Sequence, residues 1–144
     1  MIAVRDRVRF EETDLMGVVY HARYLPWLEI GRVAYLRQCG VDLNELMADG
    51  IVTPILEVNL KYRSSARFDD EFEVRATLKE FNRAKMLFSY QVVRVADGQL
   101  FLEGTTLNAF TSKEGQIIRL PRKWFDKINS AYLQEKERNG GEAE

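Results

Sequence analysis

Residues 24–39 read YLPWLEIGRVAYLRQC and form a long stretch with helical spacing. Tyr24, Leu25, Leu28, Tyr35, Leu36 and Cys39 recur at three- and four-residue intervals, a broad apolar stripe along one side. Pro26 is tolerated only in a first turn, which sets the start, and Gly40 is a natural stop. A helix of about 16 residues is roughly 24 Å long at 1.5 Å per residue, enough to cross several strands about 4.8 Å apart.

After Gly50 the period falls to two. In 56–63, LEVNLKYR, Leu56, Val58, Leu60 and Tyr62 alternate with Glu57, Asn59, Lys61 and Arg63. In 71–78, EFEVRATL, Phe72, Val74, Ala76 and Leu78 do the same. Residues 86–95 read as a further strand, and Asp97-Gly98 is a hairpin signal leading into 99–111. Gly104 inside that strand marks a bulge or a close backbone approach. Lys113-Glu114-Gly115 is another turn, and 116–120, QIIRL, reads as a short extension of the sheet.

Upstream, 4–12 (VRDRVRFEE) alternates at Val4, Val8 and Phe10 and reads as a first strand, while 41–50 reads as a short second helix. Residues 121–138 read as a terminal amphipathic helix with Pro121 at its start and Trp124, Ile128, Ala131 and Tyr132 on one face. The order is strand, long helix, at least four strands, helix. That is an α+β fold with an antiparallel sheet of about five strands, whose apolar face the long helix covers. One domain spans 1–138, and a disordered tail is expected at 139–144.

Composition removes several functions. The chain has 144 residues, with 21 Lys and Arg against 22 Asp and Glu, a net charge of -1 that argues against a nucleic-acid binder. No apolar run approaches the roughly 18 residues that span a bilayer, and the charged start MIAVRDRVRFEETD does not read as a signal peptide. With one cysteine, Cys39, and one histidine, His21, neither a disulfide nor a Cys- or His-rich metal site is expected. A lone thiol fits a reducing, cytoplasmic setting. Cys39 follows the helix stripe and reads as an inert packed residue. No GxSxG or GxxxxGK[ST] string occurs.

One segment can carry chemistry. Asp14 stands three residues before Gly17 and about eight to ten before the helix start. The first N–H groups of a helix lack internal partners and carry the positive end of its dipole, so an acyl carbonyl aimed at them meets an oxyanion site. An ionised Asp14 beside it attacks, or activates water. The bland alternative is that Asp14 is a turn former and His21 a polar residue at a helix entry. Glu29 and Arg32, three apart, read as a surface pair. Tyr62, Trp27, Phe88 and Tyr90 read as core or interface aromatics.

The run RFEETDLMGVVYHARYLPWLEIGRVAYLRQCG, residues 9–40, resembles the YbgC-type and 4-hydroxybenzoyl-CoA branch of the hotdog-fold thioesterases. Asp14, Gly17, Val18, Val19, Tyr20 and His21 follow that family's pattern, and Tyr24 and Glu29 match its helix start. NLKYRSSARFDDEFEV, with Tyr62, Ala66, Asp69 and Asp70, is similar to a further signature, and RLPRKWFDKI to the closing segment.

The resemblance implies a hotdog fold, with the long helix wrapped by the sheet. It implies a homo-oligomer whose sheets join edge to edge, often as a homotetramer, and hydrolysis of acyl-CoA thioesters at a site shared between subunits. By position, Asp14 is the catalytic carboxylate, as nucleophile or general base, and the His21 backbone N–H polarises the carbonyl. Gly17, Val18, Tyr20 and Tyr24 line the substrate pocket. Arg83 and Lys85, in the turn NRAK, resemble a basic turn that contacts CoA phosphates, and Arg63 and Arg67 are further candidates. No metal or redox cofactor is implied, and coenzyme A enters as part of the substrate. Phe10 stands where many members have Tyr, which removes a phenol donor and leaves the His21 ring as a helper or a site wall. Rival readings are a thioesterase for acyl carrier protein, a non-catalytic acyl-binding or interaction module, and a hydratase.

Overall fold

A strand of eleven residues, β4 (Glu71–Phe81), organises the molecule. Phe72, Val74, Ala76 and Leu78 are buried while the residues between them are not, as expected of a sheet with one face on the core. The computed structural model describes residues 1–142. The elements are β1 (Ile2–Arg7), α1 (Tyr24–Gln38), α2 (Leu43–Ala48), β2 (Ile51–Val52), β3 (Ile55–Tyr62), β4, β5 (Lys85–Arg94), β6 (Leu100–Ala109), β7 (Thr111–Ser112) and α3 (Arg122–Glu142). Five strands form one antiparallel sheet in the order β1-β4-β5-β6-β3, and β2 pairs with β7 in a small separate ribbon. The α+β class and the helix-covered sheet are as read from the sequence.

Helix α1 lies across β4 and β1. It buries Tyr24, Trp27, Leu28, Gly31, Tyr35 and Leu36, and the Trp27 ring stacks on Phe72 with centroids 3.9 Å apart. Leu25, assigned to the buried stripe, is exposed. Trp27 and Gly31 take the inner side instead, because at Gly31 even a methyl carbon would sit 2.8 Å from Val74 Cγ1. Only a bare backbone lets the helix come this close.

Other boundaries differ from the sequence reading, each for a local reason. The first strand ends at Arg7 instead of Glu12, because Phe10–Glu12 turns as a 3₁₀ helix that carries the Glu12 side chain inward. Phe10 is left exposed, edge-on to Phe68 at 5.6 Å. Residues 116–120 form no strand; a single bridge joins Ile117 to Thr111, while β7 takes β2 as its partner. Gly104 marks close approach and not a bulge: it pairs in register with Leu60 and Tyr90, and the ladder shifts elsewhere. Helix α3 continues through Glu142, past the expected start of a tail at 139, and residues 143 and 144 lie outside the described residues.

The edge strand β3 is the largest departure. Its alternation is plain, yet Ile55, Leu56, Val58 and Tyr62 are between 42% and 63% exposed. An apolar row with no cover in its own chain stands on a sheet edge whose outer backbone groups are also unpaired by any neighbouring strand.

Candidate active site

The site is assembled from three pieces: a turn at Asp14, the head of α1, and the segment between β3 and β4. The turn begins where Thr13 bridges to Val19. The Asp14 N–H donates to the Val18 carbonyl at 2.9 Å, and the Gly17 N–H to the Asp14 carbonyl at 3.0 Å. Gly17 closes the turn at φ +79°, a left-handed conformation that other residues resist. The Asp14 carboxylate is half-buried, and its Oδ1 accepts the Met16 N–H at 2.8 Å. Asp14 is therefore a turn residue, with Oδ2 not engaged by any protein donor among the described residues.

Glu12 holds this turn against the core. Its Oε2 accepts the Trp27 indole N–H at 2.7 Å, its Oε1 accepts the Arg9 N–H at 2.8 Å, and its carbonyl accepts the Tyr20 N–H at 3.0 Å. Only 7% of Glu12 is exposed, so each of these bonds lies largely out of water. Sequence reasoning passed over this residue. The signal was available in Trp27, a large residue on the buried helix face whose N–H needs an acceptor. Replacing Glu12 with Leu strands both donors, and is expected to destabilise the protein by about 1–3 kcal/mol. Urea unfolding checks this, and an unmoved midpoint would dismiss the anchoring role.

His21 opens a 3₁₀ turn, His21–Arg23, that runs straight into α1. The Arg23 N–H is satisfied by the Tyr20 carbonyl at 2.9 Å. The N–H groups of His21 and Ala22 precede it and have no protein acceptor among the described residues. The His21 carbonyl accepts the Tyr62 hydroxyl at 2.7 Å, fastening the helix head to the end of β3. Tyr24, one turn on, accepts the Ala66 N–H at 3.1 Å, and Ala66 in turn accepts the Val19 N–H at 2.9 Å. Burial pushes the Tyr24 and Tyr62 phenols up from their ordinary range, so both remain protonated.

A cleft of about 280 Å³ opens here, lined by Val19, His21, Tyr24, Tyr62, Arg63, Ser64 and Ser65. Of the residues expected in a substrate pocket, Tyr24 lines it, with His21 beside it. Asp14, Gly17, Val18 and Tyr20 stand in the adjoining turn and do not line this cleft within one chain.

The basic candidates divide. Arg67 is exposed next to the turn, bridged to Val18. Arg63 pairs with Glu103 at 3.0 Å. Arg83 and Lys85 lie at the opposite end of β4, roughly 35 Å away at 3.3 Å per residue. There Arg83 Nε donates to the Leu120 carbonyl at 2.9 Å and Lys85 pairs with Glu80 at 3.7 Å. The expected Glu29–Arg32 pair does not form: Glu29 is exposed, while Arg32 turns inward and donates from Nη1 to the Tyr90 hydroxyl at 3.2 Å. Burial, and then the Glu135 carboxylate, raise the Cys39 thiol to about 11, which keeps it a protonated, unreactive packing residue.

Comparison with known proteins bears on the family and the fold. The profile of the thioesterase-like superfamily matches residues 8–131. YneP of Bacillus subtilis (strain 168) is 30% identical over 125 residues, covering 87% of this chain and 90% of that protein. The acyl-CoA thioester hydrolase YbgC of Escherichia coli (O6:H1) is 31% identical over 101 residues, 70% of this chain and 75% of its own length. The crystal structure of a hypothetical protein from Thermus thermophilus superposes with a TM-score of 0.83 at 35% identity, over 89% of this chain and 97% of its own. Agreement of that breadth in both sequence and backbone fixes the family: the chain belongs to the thioesterase-like superfamily, and the helix laid across its antiparallel sheet is that superfamily's hotdog fold.

Proposed function

We propose that this protein hydrolyses acyl-CoA thioesters to the free acid and coenzyme A, with Asp14 as the working carboxylate and the His21 N–H as oxyanion donor. The observation that carries the reading is the helix head: two unpaired amides beside a cleft, with the adjoining turn holding a carboxylate that has a free oxygen. Negative charge developing on the thioester oxygen is favoured there by the amides and the dipole behind them. Asp14 attacks the carbonyl carbon, or removes a proton from a water that does. By either route the elements of water add across the C–S bond. The oxygen ends on the acyl carbon, and the sulfur leaves as thiolate and is protonated. The reaction so written uses no metal or redox group, and coenzyme A is part of the substrate.

The working unit on this reading is a dimer joined through β3. Its exposed apolar row and open edge support that seam, since pairing with a second copy covers both at once. A two-fold axis runs the paired strands antiparallel, so the Tyr62 end of one β3 meets the Ile55 end of the other. Ile55 is aligned with Asn108, and Asn108 with Met86, beside the Arg83–Lys85 turn. Such pairing brings the basic turn of one copy toward the cleft of the other, where it can meet the phosphates of coenzyme A together with Arg67. Sedimentation velocity tests the seam, and a monomer at assay concentration would exclude it.

A thiol-release assay over short, long and aromatic acyl-CoAs tests the activity. Turnover of at least one ester is expected, and absence of thiol release from all of them by the intact protein would reject the reading. Tyr62→Phe removes the clamp on the His21 carbonyl, at a cost of about 1 kcal/mol for one hydrogen bond. The expected result is a fall of about fivefold in kcat with KM little changed. A change confined to KM would assign Tyr62 to binding instead.

A further inference from the structure

We infer that Arg32 selects the acyl half of the substrate, and that the preferred acyl group carries a carboxylate at its far end. The inference rests on the thioesterase reading above. Arg32 is the residue that the sequence paired with Glu29, and it is free of that partner: among the described residues it makes no ion pair. Its guanidinium is half-buried and has one neutral acceptor, the Tyr90 hydroxyl at 3.2 Å. That hydroxyl is tied at 2.6 Å to Thr106 Oγ1, and both residues are 1% exposed.

These three side chains stand at one place on the inner face of the sheet. Thr106 is aligned with Val58 on β3, part of the row left open within one chain, so the polar group lies beside the proposed seam. Four residues back along β6, Leu102 is aligned with Tyr62, which fastens the helix head. On this proposal the acyl chain runs in a channel from the helix head, where the carbonyl reacts, along the side of α1 that carries Arg32 and over β5 and β6. Arg32 follows Tyr24 by eight residues, roughly 12 Å of helix. Its side chain leans toward the helix N-terminus and shortens that gap, which suits an acyl chain of about six carbons.

An alkyl chain laid in this channel strips water from a guanidinium that has five donors and a single neutral partner. A terminal carboxylate restores what is stripped, through a two-pronged charge-assisted pair that a methyl group cannot make.

The test compares adipoyl-CoA with hexanoyl-CoA, equal in length and differing at the far end. The wild type is expected to favour adipoyl-CoA in kcat/KM by at least about tenfold, about 1.4 kcal/mol. Arg32→Gln should bring the ratio to about one or lower. A wild-type preference for hexanoyl-CoA overturns the inference. So does an Arg32→Gln enzyme with the ratio intact, which is the signature of a merely structural arginine that slows both esters together. Calorimetry with the thioethers S-hexyl-CoA and S-(5-carboxypentyl)-CoA reads the same subsite without turnover. Equal affinity overturns the inference. Tighter binding of the carboxylated thioether by a protein that cleaves no ester upholds the subsite and removes the hydrolase reading.

Discussion

Asp14→Asn is expected to lower kcat on the best acyl-CoA by about 10²–10⁴, the range for loss of a positioned base, while leaving the fold and ester binding largely intact. The choice of Asn matters. Asp14 already has a structural task, since its Oδ1 accepts the Met16 N–H at 2.8 Å within the tight turn. Asn keeps a carbonyl oxygen able to accept that bond, so the turn survives, but it can neither attack nor take up a proton at neutral pH. Asp14→Ala removes both capacities, and the difference in stability between the two variants isolates the turn's share. A fully active Asn enzyme would leave Asp14 a turn former and nothing more. His21→Ala provides the contrast. The amide is kept and only the exposed ring is lost, so the expected fall is far smaller than at Asp14. A loss as large as that of Asp14→Asn would transfer the chemistry to the imidazole.

Why the sequence carried the fold but only part of the site follows from what each residue pattern encodes. Period-two alternation in 71–78 reports which side chains face a core, and β4 obeys it through Leu78, after which a register shift turns Phe81 inward. The same alternation in 56–63 is as clean, yet its apolar row is uncovered, because a pattern states which face wants burial and not which molecule supplies it. Phe10 extends the alternation of the first strand by parity alone. The chain turns there because Glu12 is drawn inward by the Trp27 indole N–H, 15 residues on, a demand that local period cannot carry. Asp14 and Gly17 were legible, since a carboxylate three residues before a glycine is a turn signal in its own right. The Tyr62 hydroxyl on the His21 carbonyl was not, because 41 residues separate the two. Arg32 shows the converse error: spacing i, i+3 made it a surface partner for Glu29, while packing gave it the buried Tyr90 hydroxyl.

The largest effect on stability is expected at Gly104. This glycine needs no unusual backbone; its value is the space it leaves empty. A methyl carbon there would lie 2.1 Å from the Asn59 carbonyl oxygen and 3.0 Å from Leu60 Cα. Those obstacles are backbone atoms of the neighbouring strand, so no rotamer change relieves them, unlike the Val74 methyl facing Gly31. Strands β6 and β3 must part by more than an ångström for a side chain to enter, and within its own chain β3 has no second neighbour to hold it. Gly104→Ala is therefore expected to destabilise by at least about 3 kcal/mol, the upper end for overpacking, and Gly104→Val to fail to fold. Damage should centre on β3, which carries both the exposed row of the proposed seam and the Tyr62 clamp on the helix head. Hydrogen exchange should accordingly show β3 amides of the Ala variant opening before those of β4 and β5, with dimer and turnover falling together. A Gly104→Ala protein with the wild-type melting temperature and unaltered β3 protection would mean that the two strands are not held this closely, and the proposed route from sheet edge to helix head would lose its footing.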